Sequence, residues 1–253
     1  VVERALKRPD VKVVSNPEFL REGSAVQDFL KPDRVVVGSD DQAAAMKVAS
    51  LYDGLSTRVI ITDPASAETI KYAANAFLAT KLSFINAIAA ICEGVGADIN
   101  DVVVGMGSDK RIGENFLRPG PGWGGSCFPK DSRALIKIAE DADYSFDLLK
   151  GVITVNDQQF DRVVQKVVRS IDGDISEKTI AVWGLTFKAG TDDLRDSPSI
   201  EIIRRLLAIG FKVQAFDPTV EKSKQGITEN LNLSLSPIEV TVGADELLIL
   251  TEW

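Results

Sequence analysis

Apolar residues in this chain follow two rhythms. Some form short unbroken runs, and others recur three and four residues apart over long stretches. Residues 11–14, 33–38 and 58–61 are short apolar runs, read as buried strands. Residues 42–52, between the last two, carry helical spacing, and strand–helix–strand alternation suggests the tail of a parallel α/β sheet. Residues 66–94 form one long helical pattern, with Ile70, Phe77, Leu78, Leu82, Ile85, Ile88 and Ile91 at the 3–4 spacing. It follows Asp63-Pro64 and ends among Gly94 and Gly96. A helix of that length spans about 42 Å. It is apolar over more than one stripe, which suits packing against several neighbours or another subunit.

Helical spacing returns at Ala134, Leu135, Ile138 and Ala139 and again over residues 142–168, where Val152, Val155, Val163 and Val164 set the apolar pattern. A second α/β unit then begins. Residues 179–183 read as a buried strand, and Gly184 opens a loop. Ser197-Pro198 is a good N-cap and N1 pair for a helix over 199–209, which Gly210 stops. Residues 212–216 are the next strand, ended by Asp217-Pro218, and residues 247–250 a further one. The glycine fingerprint G-x-G-x-x-G of dinucleotide-binding turns is absent from residues 1–63, and the second α/β unit fails it too, since Gly184 is followed only by Gly190.

Composition narrows the chemistry. The chain is 45% hydrophobic and carries a net charge of −8, which argues against nucleic acid or an anionic membrane as partner. No run of eighteen apolar residues and no signal-peptide pattern is present, so a cytoplasmic location is expected. Histidine is absent, which removes His-based triads and leaves Asp, Glu, Lys, Tyr, Cys or water as general acid or base. The two cysteines, Cys92 and Cys127, form no Cys-x-x-Cys pair, and no metal site is expected. The start at Val1 without methionine and the stop at Trp253 after an apolar run read as a fragment cut at both ends.

The chemistry concentrates in Gly120-Pro121-Gly122-Trp123-Gly124-Gly125-Ser126-Cys127-Phe128-Pro129-Lys130-Asp131. Glycines without a Cβ let the backbone turn and approach a ligand closely. Pro129 suits the first turn of a helix, so Cys127 sits where a loop becomes a helix. The positive end of that helix and Lys130 favour a thiolate. Asp131 lies one turn on. The plainer reading is a small buried cysteine beside a flexible loop. Glu18 and Glu22 would share a face if their segment is helical, and two such close carboxylates resist joint ionisation. They read equally as a solvated helix start. Lys71 and Asn75, at i and i+4 of the long helix, can together donate to an oxyanion, or can be a snorkelling lysine and a surface amide. Cys92 reads as packing.

The stretch Gly124-Gly125-Ser126-Cys127-Phe128-Pro129-Lys130-Asp131 resembles the nucleophile motif of the UDP-glucose 6-dehydrogenase family, within the nucleotide-sugar dehydrogenases. Asn16-Pro17-Glu18-Phe19-Leu20-Arg21-Glu22-Gly23 and Lys71-Tyr72-Ala73-Ala74-Asn75-Ala76-Phe77-Leu78-Ala79 resemble two more of its segments. The resemblance implies an α/β fold in three parts: the remnant of an N-terminal NAD-binding Rossmann domain (1–65), a helical central dimerisation domain (66–168), and part of a UDP-sugar-binding Rossmann-like domain (169–253). It implies NAD as cofactor, UDP-glucose or a related nucleotide sugar as substrate, and a homodimer through the central helices.

By the same resemblance Cys127 is the nucleophile, and Lys71 and Asn75 steady the negative oxygen at the sugar C6. Asp131 holds a water or shares a proton, and Glu18 serves thioester hydrolysis. Phe19, Leu20, Phe116, Gly122, Trp123, Gly124, Phe187 and Lys188 belong to the substrate site, and Arg111 reaches toward the neighbouring subunit's substrate. Glu22 lies near both ligands, and Lys130 and Arg195 attend the NAD. Within this class a GDP-mannose or UDP-N-acetyl-mannosamine dehydrogenase is the alternative. Other classes are a non-catalytic, dimerising nucleotide-sugar-binding module and a thiol enzyme unrelated to NAD.

Overall fold

The computed structural model describes residues 5, 6, 8, 10–220 and 231–253, and the chain divides into two compact units, Val1–Ala74 and Asn75–Trp253. In the first unit, α1 (Ala25–Leu30) precedes β1 (Arg34–Gly38), α2 (Gln42–Ala49) and β2 (Arg58–Thr62). The two strands pair in parallel from Arg34 opposite Arg58 to Gly38 opposite Thr62, as the strand–helix–strand pattern requires. Val35 and Val37 pack on Ala45 of the crossover helix. Asp41 caps that helix by accepting the Ala44 N–H at 2.9 Å.

Two expectations for this unit fail. Residues 11–14 are not a strand; Ser15 alone bridges Gly38, and Val11 is exposed. The segment with Glu18 and Glu22 is not a helical turn, because neighbouring bonds hold its start extended. The side-chain amide of Asn16 donates to the Val36 carbonyl at 2.7 Å, and its oxygen accepts from the Tyr52 hydroxyl at 2.5 Å.

The long helix α3 (Pro64–Val95) runs 32 residues, about 48 Å. Asp63 caps it, accepting the Ser66 N–H at 2.8 Å and the Ser66 hydroxyl at 2.6 Å. By length and composition alone α3 could cross a membrane. Its buried Ser83 and Asn86 bond into neighbouring segments of the second unit, to the Val152 carbonyl and the Gly120 N–H.

The second unit continues with α4 (Ile99–Gly107), α5 (Phe128–Asp141) and α6 (Asp147–Ser170). Ala76 and Ala79 of α3, Trp123, and Leu149 and Val152 of α6 form one core. Then come β3 (Thr179–Trp183), α7 (Pro198–Ala208), β4 (Lys212–Phe216), β5 (Asn232–Leu233) and β6 (Glu246–Ile249). They make a parallel sheet in the order β5-β4-β3-β6. The order reverses between β3 and β6, the kind of switch point where α/β folds bind ligands beyond the strand ends. A second core joins Ile180 and Val182 of β3, Ile202, Ile203 and Leu206 of α7, and Phe160 and Val164 of α6. The last helix of the middle region, α6, thus also packs against the α/β layer.

Ser197 stands at the N-cap position of α7 but does not cap it. Its hydroxyl donates at 2.6 Å to the Leu185 carbonyl, tying the loop after β3 to the helix start.

Candidate active site

In the first unit, Lys71 Nζ donates to the Glu18 carbonyl at 2.7 Å and to Glu18 Oε1 at 3.0 Å. The Phe19 ring lies below the Arg34 guanidinium at 3.8 Å and 5.7 Å from Lys71 Nζ. Glu18, Phe19 and Lys71 are therefore brought together, the glutamate held by an amine rather than by the glutamate four residues on. Leu20 is exposed, with its N–H donating to Glu18 Oε2 at 2.7 Å. Glu22 sits in the turn that leads to α1.

In the second unit, Cys127 occupies the N-cap position of α5, half-buried, with Pro129 in the first turn. The Asp131 N–H donates to the Cys127 carbonyl at 2.9 Å, so the carboxylate lies one turn beyond the sulfur. Asp131 is only 1% exposed. Burying a carboxylate is costly unless it is hydrogen-bonded and paired. Asn75 supplies the bond at 2.6 Å and Lys130 the charge at 2.6 Å. The lysine expected to favour the thiolate thus has Asp131 as its ion-pair partner. Ser126 Oγ lies 3.7 Å from the sulfur. Cys92 is buried, in keeping with a packing role.

At three positions of the glycine loop the place of a side chain is filled by the protein itself. A Cβ on Gly124 would stand 1.8 Å from the Asp196 carbonyl oxygen, and one on Gly125 would stand 2.7 Å from the Phe187 ring. On Gly122 it would strike the Phe160 ring at 2.4 Å. The missing side chains make room for the protein's own backbone and rings. Trp123 is also turned inward: it is 6% exposed, and its indole N–H donates to Ser83 Oγ at 2.8 Å. That polar edge is unavailable to a sugar.

Sequence reasoning missed the residues that hold this loop. Asn156 accepts the Trp123 N–H at 2.8 Å and donates to its carbonyl at 2.9 Å. Asn86 accepts the Gly120 N–H at 2.8 Å, and Gln159 donates to the Gly120 carbonyl at 2.8 Å. A signal was present: Val152, Asn156 and Phe160 are four apart, and an amide on an apolar stripe marks a buried bond.

Phe116 precedes this loop with a left-handed φ of 62°. Arg111 points outward, paired with Asp109 at 2.5 Å, and that guanidinium draws the carboxyl below the usual aspartate range. Lys188 Nζ lies 5.4 Å from the Phe187 ring, and Arg195 grips the buried Asp193 at 2.8 Å. Asp217, at the end of β4, accepts N–H bonds from Leu185 at 2.7 Å, Thr186 at 3.2 Å and Thr219 at 2.9 Å. Burial would push its carboxyl up, but those bonds outweigh it and hold the group below the usual range. A cleft of about 300 Å³ opens beside Trp123, Pro129, Arg133, Phe160 and Ser197, and Cys127 is not among its lining. Among the described residues no cluster of His, Cys, Asp and Glu is placed to hold a metal ion.

Residues 1–56 match the NAD binding domain of the UDP-glucose/GDP-mannose dehydrogenase family, residues 65–158 its central domain, and residues 181–253 its UDP binding domain. The chain belongs to that family. A UDP-glucose 6-dehydrogenase of Bacillus subtilis (YwqF) is 46% identical over 254 residues, all of this chain and 58% of the relative. One from Rhizobium meliloti is 46% identical over 261 residues, again all of this chain and 60% of the relative. The chain thus spans about three-fifths of the length of these curated relatives. The solved structure of a UDP-glucose dehydrogenase from Pyrobaculum islandicum superposes with a TM-score of 0.90 at 37% identity, over 96% of this chain and 56% of that one. In the family's terms, Glu18 lies in the NAD-binding match, Cys127, Asp131 and Asn75 lie in the central match, and Phe187, Lys188 and Arg195 lie in the UDP-binding match.

Proposed function

We propose that this chain is part of an NAD-dependent UDP-glucose 6-dehydrogenase that oxidises the C6 alcohol of the sugar to a carboxylate through a thioester on Cys127. The observation that carries the reading is the trio in the second unit. A half-buried cysteine opens a helix, and one turn on lies a buried aspartate bonded to Asn75. Family relatives at 46% identity, named for this activity, support it.

NAD, when bound, supplies the hydride acceptor for each of two oxidations. Exposed cationic heads suit its diphosphate, and Lys130 and Arg195 are such groups, each anchored on a buried aspartate. Glu22 is the third residue assigned to it. In the first oxidation the alcohol loses its proton to a water held by Asp131. The aldehyde carbon is then attacked by the Cys127 sulfur, and Lys71 and Asn75 donate to the oxygen that gains charge. Loss of the second hydride turns that adduct into a thioester. Glu18 takes a proton from the water that cleaves it, releasing the acid and the free thiol. Phe19, Leu20, Phe116, Gly122, Gly124 and Lys188 are assigned to holding the nucleotide sugar, Phe187 to packing behind that site against Gly125, and Arg111 to the neighbouring subunit's substrate. Trp123 is assigned to supporting that site from within the core. A cytoplasmic location belongs to the same reading.

The test restores the preceding residues of the longer protein and supplies UDP-glucose and NAD to wild type and Cys127→Ser. Wild type is expected to form NADH and UDP-glucuronate, and the variant no acid. Acid formation by Cys127→Ser at the wild-type rate would exclude the thioester route. The 253 residues alone are expected to form little NADH, since neither residues 1–63 nor the second α/β unit contains a G-x-G-x-x-G turn. Turnover of GDP-mannose or UDP-N-acetyl-mannosamine in place of UDP-glucose would move the assignment within the family. Nucleotide-sugar binding without turnover by the restored protein would favour the non-catalytic module.

A further inference from the structure

Phe187 lies four residues past β3, and its ring rests directly on the backbone of Gly125. Three ring atoms, Cε2, Cδ2 and Cζ, would stand 2.7, 2.8 and 3.0 Å from a Cβ at that position. The Gly125 N–H donates to the Arg195 carbonyl at 3.1 Å, and the Asp196 carbonyl fills the place where a Gly124 side chain would begin. Two residues after Gly125 comes Cys127. Segment 184–196 is itself laced into one piece. The Phe187 N–H donates to the Asp193 carbonyl at 3.2 Å, and Thr186 Oγ1 donates to the Lys188 carbonyl at 3.0 Å. Asp217 gathers the N–H groups of Leu185 and Thr186. The whole segment lies inside the UDP-binding match.

We propose that Phe187 is a positioning residue through which occupancy of the UDP-binding segment is transmitted to the Cys127 loop. Close-packed contacts do not deform freely, so a ring with no gap beneath it moves the backbone it touches. A nucleotide that favours one arrangement of segment 184–196 thereby favours one arrangement of residues 124–127, by as much as its affinity differs between the two. This rests on reading Cys127 as the nucleophile and residues 181–253 as the nucleotide site. It adds that the two communicate through the Phe187 ring, beside the backbone contacts of Arg195 and Asp196.

The test follows the rate at which iodoacetamide alkylates Cys127 in the 253-residue chain, by mass spectrometry, with the buried Cys92 as internal reference. UDP is the probe, and its binding is measured separately by calorimetry. Saturating UDP is expected to change the wild-type rate by about fivefold or more. In Phe187→Ala, UDP still binds but leaves the rate unchanged, and Phe187→Tyr, which keeps the ring, restores the response. Phe187→Leu replaces Phe187→Ala if the latter does not fold. Bound UDP without a rate change in wild type overturns the proposal, and so does an undiminished response in Phe187→Ala. Loss of UDP binding in Phe187→Ala overturns it too, since the ring would then be a ligand contact. Absence of any heat of UDP binding to wild type defeats the nucleotide reading itself, and the calorimetry identifies that failure apart from the alkylation.

Discussion

At the scale of single residues, the nucleophile motif is as much a packing motif as a chemical one. Gly124 has a backbone carbonyl where its side chain would be, and backbone cannot swing aside as a long side chain can. Gly124→Ala is expected to destabilise the chain by about 1–3 kcal/mol, the usual cost of overpacking. Gly120 has nothing within 4 Å of the same place, so Gly120→Ala is expected to stay within about 0.5 kcal/mol of wild type. Urea midpoints of the two variants check the contrast, and equal losses would show that conformational freedom, not space, explains Gly124. The sequence made the run of glycines visible but not what filled the room. The occupants, Asp196 and Phe187, come from more than sixty residues downstream, and no local pattern reports such pairings. Cys127 at a helix start was readable because Pro129 and the spacing from Ala134 are local signals. The partner of Glu18 was not, since Lys71 is 53 residues away and the Glu18–Glu22 spacing suggested a helical turn that Asn16 prevents.

At the scale of elements, periodicity located most helices and strands but not the short α1, α4 and β5, and in places side-chain bonding overrides propensity. The cap at Ser197 is the clearest case, because a good capping residue was drawn away to the Leu185 carbonyl. Asp217 shows the same economy at the end of β4. In many dinucleotide folds an acid near the end of the second strand serves the ribose. Here its oxygens are taken by the turn after β3. Its pKa is lowered on folding, so its contribution is present in full above the unfolded value, near pH 4, and is lost as pH falls below it. Asp217→Asn is expected to cost about 1–3 kcal/mol at neutral pH. It should also flatten the acid limb of stability against pH. Chemical denaturation of both proteins between pH 7 and pH 3 would measure this, and parallel acid limbs would rule Asp217 out as a source of the acid sensitivity.

At the scale of the whole molecule, the part of α3 in the second unit carries an apolar stripe that is left exposed. Phe77, Phe84 and Ile91, seven apart, are 65%, 50% and 58% exposed. Residues seven apart keep to one face of a helix, drifting only about 20° per repeat. An apolar stripe of that kind supports the reading of a homodimer formed through the central helices. Phe77→Glu with Phe84→Glu is expected to shift the protein to monomer in sedimentation at micromolar concentration without lowering its helix content. A dimer that survives the double change would place the interface elsewhere. The division into units, by contrast, was only partly legible. The apolar pattern of α6 marked a helix but not that Phe160 and Val164 belong to the core of the sheet that follows.

The paired bonds between Asn156 and Trp123 have a consequence of their own. One side-chain amide meets both the backbone donor and the backbone acceptor of one residue, as an adjoining strand would. The loop is thereby clasped like the margin of a sheet, though only a helix stands beside it. An aspartate in that seat could take the proton but offer none back, and the tryptophan's oxygen would be stranded in the dark of the core. A single atom exchanged on a distant helix would then slacken the approach to the sulfur.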